Sequence, residues 1–408
     1  MIVNSTEDFA TISDSSFKVF KTSGYKMACY EDGYESAIKH LWLNNIEGVE
    51  VSHILVLKKA LGNVWNIYDA SENVLSKFVS EKVARKVACS KAGSKIVELY
   101  DRLCEKQISI LYPEKSNYPE KLRHIYMPPQ LLYVKGRIKN SINEYNKTIG
   151  IVGSRNPSTY GKEICKYFGE KLAKEGFCIV SGLARGIDGI AHRSALDNNG
   201  YTVAVLGSGI NVAYPRTNIE TYAKIEENGA IISEYGLDVS PNPWQFPIRN
   251  RIISGLSDGV LVVEARAESG SLITVDHALE QGKTVYSIPG RLMDKSCEGN
   301  NNIIREGAVC VTRPEDIIED MAGISVFEKG NSEKGHDENV NRANAVESLS
   351  EEENKVLACI SLDPIYIDDI MQSTHLGVTK TISTLYLLEE KKLIKQQNKG
   401  YYILFIKN

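Results

Sequence analysis

The sequence lacks the cysteine and histidine patterns that bind metals. Its 408 residues include eight cysteines and seven histidines, but no Cys-x-x-Cys pair and no cluster of either residue type. Structural zinc sites need such closely spaced ligands, so we expect no bound metal. Scattered cysteines are typical of the reducing cytosol, and we therefore predict a cytoplasmic protein.

Long apolar segments are also missing. No stretch approaches about 18 uninterrupted apolar residues. The N-terminus, MIVNSTEDFATISDSS, has neither the basic nor the apolar region of a signal peptide. We therefore expect no membrane span and no secretion. The formal net charge of -4 argues against a broad basic surface.

The common catalytic and cofactor motifs are absent as well. The chain has no Gly-x-Gly-x-x-Gly fingerprint, no Gly-x-x-x-x-Gly-Lys-Ser/Thr loop, no Gly-x-Ser-x-Gly elbow and no His-Glu-x-x-His. Asp258, Glu264 and Asp276 could serve as paired carboxylates, but nothing in their spacing requires it. We expect a protein without a cofactor and without a catalytic set.

Composition and apolar periodicity divide the chain into five parts. Residues 1–34 show no period, which predicts a poorly ordered N-terminus. Residues 35–106 have helical spacing and predict a small domain of the SAM or helix-hairpin-helix type. Its turn at Glu47-Gly48-Val49 fits either plain helix packing or a degenerate phosphate-binding hairpin. A Rossmann-like core is predicted at 107–322, a flexible linker at 323–348 and a winged-helix-like domain at 349–408.

The core prediction rests on apolar runs that alternate with helical segments. Strands that are apolar on both faces and separated by helices indicate a doubly wound, mostly parallel α/β sheet. Residues 107–147 hold turns and short extended pieces at Ile108–Ile110 and Leu131–Val134, and are predicted to lead into this core. The predicted strands are Ile149–Val152, Phe177–Val180, Val203–Leu206, Ala230–Ile232, Val260–Val263 and Val285–Ile288.

Turns rich in glycine, serine and arginine follow several of these strands. The carboxyl ends of parallel strands share one edge of a sheet, where backbone N–H groups and helix N-termini favour anions. Glycine allows close approach of a ligand, and a guanidinium group can bind phosphate through two hydrogen bonds. The candidate residues are Gly153, Ser154, Arg155, Ser181, Gly182, Arg185, Gly186, Arg216, Gly270 and Ser271.

A further segment, residues 244–251, combines aromatic side chains with paired arginines. Phe246, Arg249, Asn250 and Arg251 suit phosphate binding together with base stacking, although Trp244 and Phe246 could instead be core residues. Residues 148–320 contain 10 Arg and 7 Lys against 22 Asp and Glu, a net charge of -5. Any anion site is therefore a local arginine patch rather than a basic face.

Long motifs at these positions resemble the DNA-processing protein A (DprA/Smf) family. They are Gly-Ser-Arg at 153–155, Ser-Gly-Leu-Ala-Arg-Gly-Ile-Asp at 181–188, Phe-Pro-Ile-Arg-Asn-Arg-Ile-Ile-Ser-Gly-Leu-Ser at 246–257 and Glu-Ser-Gly-Ser-Leu-Ile-Thr at 268–274. The resemblance implies a protein that binds and protects single-stranded DNA and loads the RecA recombinase during natural transformation. It also implies a homodimer that forms through the Rossmann-like domain.

Two other functions fit parts of the sequence. A nucleotide-processing enzyme of the Rossmann type is one, but the loop at 268–274 lacks the Pro-Gly-Gly of nucleoside monophosphate hydrolases. A regulator that binds duplex DNA through residues 349–408 is the other. Its recognition helix would lie near 378–391, where the charges are mixed, and a protein contact is equally compatible with that composition.

Overall fold

The computed structural model describes residues 33–91, 93–136, 147–322 and 349–405. The predicted disordered N-terminus, apart from residues 33 and 34, and the predicted linker at 323–348 lie outside these residues. None of the helices in the described ranges is both long and apolar enough to cross a bilayer.

The N-terminal part is helical. Its apolar core is formed by buried side chains such as Trp42, Ile54 and Val87. The turn between the first two helices contains Gly48 with a φ of 76°, and the Lys86 ammonium donates to the Glu47 carbonyl at 2.6 Å. The helices are α1 Tyr34–Asn44, α2 Val51–Leu61, α3 Val64–Asp69, α4 Glu72–Leu75, α5 Glu81–Cys89 and α6 Ser94–Glu105.

A nine-stranded sheet forms the centre of the protein. Its spatial order is β1-β2-β6-β5-β4-β3-β7-β8-β9, and all neighbours from β6 to β9 are parallel. This confirms the predicted Rossmann-like fold. The strands are β1 Ser109–Leu111, β2 Leu132–Gly136, β3 Thr148–Val152, β4 Cys178–Ser181, β5 Thr202–Leu206, β6 Ala230–Ser233, β7 Gly259–Val262, β8 Thr284–Ser287 and β9 Val309–Cys310.

Helices cover both faces of the sheet. Alternating strand residues separate the two cores: Val260 and Val262 pack on the side of Ile252, whereas Leu261 packs on the side of Phe168. Burial on both faces explains the continuous apolar runs. The helices are α7 Glu120–Arg123, α8 Thr159–Lys174, α9 Ile187–Asp197, α10 Ile219–Asn228, α11 Gln245–Leu256, α12 Leu272–Glu280, α13 Glu298–Arg305 and α14 Pro314–Met321.

Two strands precede the parallel part of the sheet in the chain. The extended pieces at 108–110 and 131–134 coincide with β1 and β2, which do more than lead into the core because they extend the sheet with antiparallel pairing. Tyr133 in β2 pairs with Ser233 in β6, a hundred positions later in the chain. Local periodicity cannot reveal such a distant partner, and strands of three and five residues give a weak signal.

The C-terminal part has the winged-helix order of elements. Its three short strands pair in the order β10-β12-β11. It contacts the core near the start of α8, where Lys395 pairs with Glu163 at 2.7 Å and Gln397 donates to the Thr159 hydroxyl at 3.1 Å. Its elements are α15 Glu351–Cys359, β10 Ile365–Tyr366, α16 Ile367–Thr374, α17 Val378–Glu390, β11 Ile394–Asn398 and β12 Tyr401–Leu404.

Candidate functional site

The strand order places a crevice at the carboxyl edge of the sheet. From β3 the chain winds through β4 and β5 to β6 on one side, and then through β7 and β8 to β9 on the other. In doubly wound sheets ligands bind at this switch point. A cavity of about 520 Å³ lies there, between the loops after β3 and β7 and the start of α11. Eight predicted site residues line it: Gly153, Ser154, Arg155, Phe246, Arg249, Asn250, Gly270 and Ser271.

The loop after β3 is held close to the loop after β7. Ser154 donates its backbone N–H to the Glu264 carbonyl at 2.7 Å. A Cβ on Gly153 would lie 2.9 Å from that carbonyl oxygen and 2.8 Å from the Ile187 side chain, so only glycine fits. Arg155 follows this turn and is exposed. The turn therefore fixes the backbone from which the arginine projects.

Phe246 forms an aromatic wall of the cavity. Its ring packs so closely on the loop after β5 that a Cβ on Gly207 would lie 2.7 Å from a ring carbon. The guanidinium carbons of Arg155 and Arg249 lie 5.6 and 5.9 Å from the ring centroid, within cation–π range. Phe246 therefore lines the cavity, and its contact with a ligand stays a prediction.

Arg249 is buried and joins the carboxyl ends of β4 and β5. Its guanidinium donates to the Gly182 carbonyl at 2.8 Å and to the Val205 carbonyl. Burial lowers the pKa of Arg249 to about 10, while the charge of Asp188 opposes the shift. The arginine stays protonated near neutral pH and places a positive charge in the wall of the cavity.

Asp188 braces the loop after β4. Its carboxylate accepts backbone N–H groups of Gly182 at 3.1 Å and Ala184 at 3.3 Å, so it stabilises the loop before α9. Burial raises the pKa of Asp188, and Arg249 acts in the opposite direction. Asp188 thus acts as a structural residue that holds the loop in place.

The remaining predicted residues of this loop fall into two groups. Ser181 is buried and donates to the Ile151 carbonyl at 2.6 Å, and Gly186 lies against the backbone of Ser154. Gly182 lies against the Arg249 side chain. These three residues do not line the cavity but contact residues that line it or hold their backbone in place. Arg185, by contrast, is exposed, as is Arg216 in the loop after β5. Contact of either arginine with a ligand stays a prediction.

Arg251 does not join Arg249 at the cavity. Its buried guanidinium forms a two-pronged ion pair with Glu234, with both N–O distances 2.7 Å, and also donates to the Met127 carbonyl at 3.1 Å. The sequence analysis predicted that Arg249 and Arg251 bind the same ligand together. The helix turns them apart because residues two positions apart point to different sides of a helix.

The structure adds cavity residues that the sequence analysis did not select. Arg266 and Glu268 after β7 and Pro243 and Pro247 beside Phe246 line the cavity. The Asn250 amide donates to the Gly270 carbonyl at 3.3 Å and so connects α11 to this loop. The carboxyl-end position of Arg266 was the available signal, since it follows β7 as Arg155 follows β3.

The carboxylates of Asp258 and Glu264 lie at opposite ends of β7 and do not form a pair, and Asp276 is exposed on α12. Glu264 is buried and accepts from the Ser158 backbone at 3.0 Å, at the start of α8. Asp258 lies before β7, at the opposite end of that strand, where it binds Lys121 and the Thr148 backbone at 2.8 Å. In the described part of the chain no group of three or more His, Cys, Asp and Glu residues could hold a metal ion.

Comparisons with known proteins agree with this architecture. A family model described as DNA recombination-mediator protein A matches residues 109–322, and one described as the DprA winged helix domain matches residues 341–398. DNA processing protein DprA of Bacillus subtilis is 35% identical over 264 residues, which are 63% of this chain and 88% of that protein.

Two further relatives and a solved structure extend the comparison. Protein Smf of Synechocystis is 33% identical over 72% of this chain and 79% of its own length. Protein Smf of Escherichia coli is 46% identical, over 52% of this chain and 56% of its own length. The X-ray structure of DNA processing protein A from Streptococcus pneumoniae superposes with a TM-score of 0.61 and 32% identity, covering 69% of this chain and 95% of that one.

Proposed function

Because this chain belongs to the DNA recombination-mediator protein A family, we propose that it binds single-stranded DNA at the carboxyl edge of its sheet and delivers it to a RecA recombinase. The arrangement of Arg155 beside the Phe246 ring in the cavity wall carries this proposal. Single strands are bound by cationic side chains that follow the backbone and by aromatic rings on which bases stack.

The chemistry of the cavity favours an unpaired strand over a duplex. An exposed guanidinium at Arg155 and a serine hydroxyl at Ser154 can bind phosphate oxygens, and the Phe246 ring offers a surface for a base. A duplex hides the faces of its bases, so an aromatic wall would find no partner there. Since the core carries a net charge of -5, binding depends on a few local contacts.

The proposal also covers the protein partner, the oligomeric state and the cellular compartment. Delivery to RecA fits the family's description as a recombination mediator, and natural transformation is one process that needs such delivery. We also propose a homodimer in the cytoplasm and no chemical step of its own. The separation of Glu264, which binds the Ser158 backbone, from Asp258, which binds Lys121 at the opposite end of β7, supports the last point.

Binding of a labelled oligo-dT and of a duplex of equal length tests the proposal. We expect tight binding of the single strand, weak binding of the duplex, and affinity that falls as salt rises. The exposed Trp244 near the cavity provides a second signal through its fluorescence. Equal affinity for both DNAs, or turnover of nucleoside monophosphates by the pure protein, would contradict the proposal.

The surface of the winged-helix part argues against the duplex-binding alternative. Residues 349–405 contain six lysines, eight acidic residues and no arginine. Four of those lysines are ion-paired, and the exposed face of α17 presents Val378, Ile382 and Tyr386. A helix that reads the major groove needs cations and amides on that face.

Removal of residues 349–408 is therefore expected to leave the affinity for single-stranded DNA largely unchanged. The cavity is built from residues 152–274, and the winged-helix part contacts the core through a few polar pairs near α8. Titration of oligo-dT with the full chain and with the truncated chain measures the difference. Loss of binding on truncation would place part of the DNA site on the winged-helix part.

A further inference from the structure

An exposed tyrosine lies next to the aromatic wall of the cavity. Tyr214 is 47% exposed, and its ring centroid is 5.8 Å from that of Phe246 with the rings tilted by 35°. Phe246 lines the cavity, so Tyr214 is a second aromatic surface just beyond it. Apolar surface that is contiguous with a ligand cavity marks a binding groove, whereas a single exposed ring elsewhere does not.

The loop that carries Tyr214 is fixed in place. The buried Asn218 amide donates to the Leu183 and Ala184 carbonyls at 3.0 and 2.9 Å, which ties this loop to the loop after β4. At the beginning of the same loop, the Gly209 backbone N–H donates to the Val239 carbonyl at 2.8 Å. A ring held before binding loses little conformational entropy when a base stacks on it.

Positive charge accompanies the ring. Arg216 is two residues further along the loop and is exposed, and Arg185 is exposed on the loop that Asn218 contacts. An aromatic face and a guanidinium group on one rigid loop are the two elements that hold a nucleotide of a single strand. Neither Tyr214 nor Arg216 lines the cavity, so both remain available to a part of the strand outside it.

We propose that Tyr214 and Arg216 form a second nucleotide subsite, in which the ring stacks on a base and the guanidinium binds the phosphate. This second subsite rests on the proposed binding of single-stranded DNA. The strand then runs from the cavity at Phe246 across the loop after β5. A base that stacks on a protein ring gives up a stacking contact with its neighbour in the strand, so the subsite favours oligo-dT, whose bases stack weakly, over oligo-dA.

Substitution of Tyr214 separates stacking from charge. We expect Tyr214→Ala to lower the affinity for oligo-dT by about 5- to 150-fold, the range for one base–aromatic stack, and Tyr214→Phe to keep it. The slope of log affinity against log salt stays unchanged for Tyr214→Ala and becomes shallower by about 0.7 for Arg216→Gln. Tyr126→Ala, at a tyrosine that is 75% exposed and does not line the cavity, is the matched control and keeps full affinity.

An abasic strand tests the role of the base. The full chain and Tyr214→Ala should bind it equally, because no base is present to stack. The subsite would be overturned if Tyr214→Ala bound oligo-dT as tightly as the unaltered chain does. It would also be overturned if the substitution lowered the affinity for the abasic strand as much as that for oligo-dT. If the unaltered chain fails to bind oligo-dT at all, the proposed function itself is wrong.

Cross-linking avoids any dependence on how a variant folds. Oligo-dT carrying 5-iodouracil is irradiated with the unaltered full chain, and the attached peptide is identified by mass spectrometry. We expect attachment at Tyr214 as well as at Phe246. Attachment at Phe246 without any in residues 207–216 would refute the second subsite and leave the proposed function standing.

Discussion

Replacement of Arg155 by alanine is expected to lower the affinity for single-stranded DNA by about 10- to 150-fold, the range for a lost hydrogen bond to a charged group. Arg155 is exposed, projects from a rigid turn and lies beside the Phe246 ring. The variant removes one phosphate contact, so the slope of log affinity against log salt becomes shallower by about 0.7. Fluorescence anisotropy of labelled oligo-dT at several salt concentrations measures both quantities.

Two further variants define what Arg155 contributes. Arg155→Lys keeps the charge but loses the planar, two-pronged donor, and we expect its affinity between those of the unaltered chain and the alanine variant. Arg85→Ala removes an exposed arginine of the N-terminal part, which pairs with Glu72, and should leave binding unchanged. Full affinity of Arg155→Ala would remove the turn after β3 from the site.

Much of this site follows from sequence because its determinants are local. The strand ends, the glycine of the turn at 153 and the arginine beside it are adjacent in the chain, and the rule that parallel strands end at one edge brings separate turns together. The same rule, applied to Arg266 after β7, would have found a further cavity residue. Local pattern and strand order therefore account for most of the cavity.

The parts that the sequence did not reveal depend on contacts across the fold. Arg249 and Arg251 look equivalent in the sequence, yet one contacts the Gly182 and Val205 carbonyls and the other binds Glu234. Only the position of α11 over β3, β4 and β5 decides which arginine faces which group. The pairing of β2 with β6 escapes sequence analysis for the same reason.

Replacement of Arg251 by alanine should lower the free energy of unfolding by about 3–5 kcal/mol, because it leaves a buried carboxylate without its partner. The side chains of Arg251 and Glu234 are only 7% and 10% exposed, and the pair joins α11 to the end of β6. The variant also loses the hydrogen bond to the Met127 carbonyl. Urea denaturation followed by circular dichroism measures the change.

A second substitution separates this structural role from DNA binding. Changing Arg251 to methionine and Glu234 to leucine together removes both charges, and we expect it to recover much of the lost stability, because a buried ion pair is often replaceable by apolar side chains. Since Arg251 does not line the cavity, the folded double variant should bind oligo-dT like the unaltered chain. A fully folded double variant with greatly weakened binding would show that Arg251 contacts the strand, as its place beside Arg249 and Asn250 in the sequence first suggested.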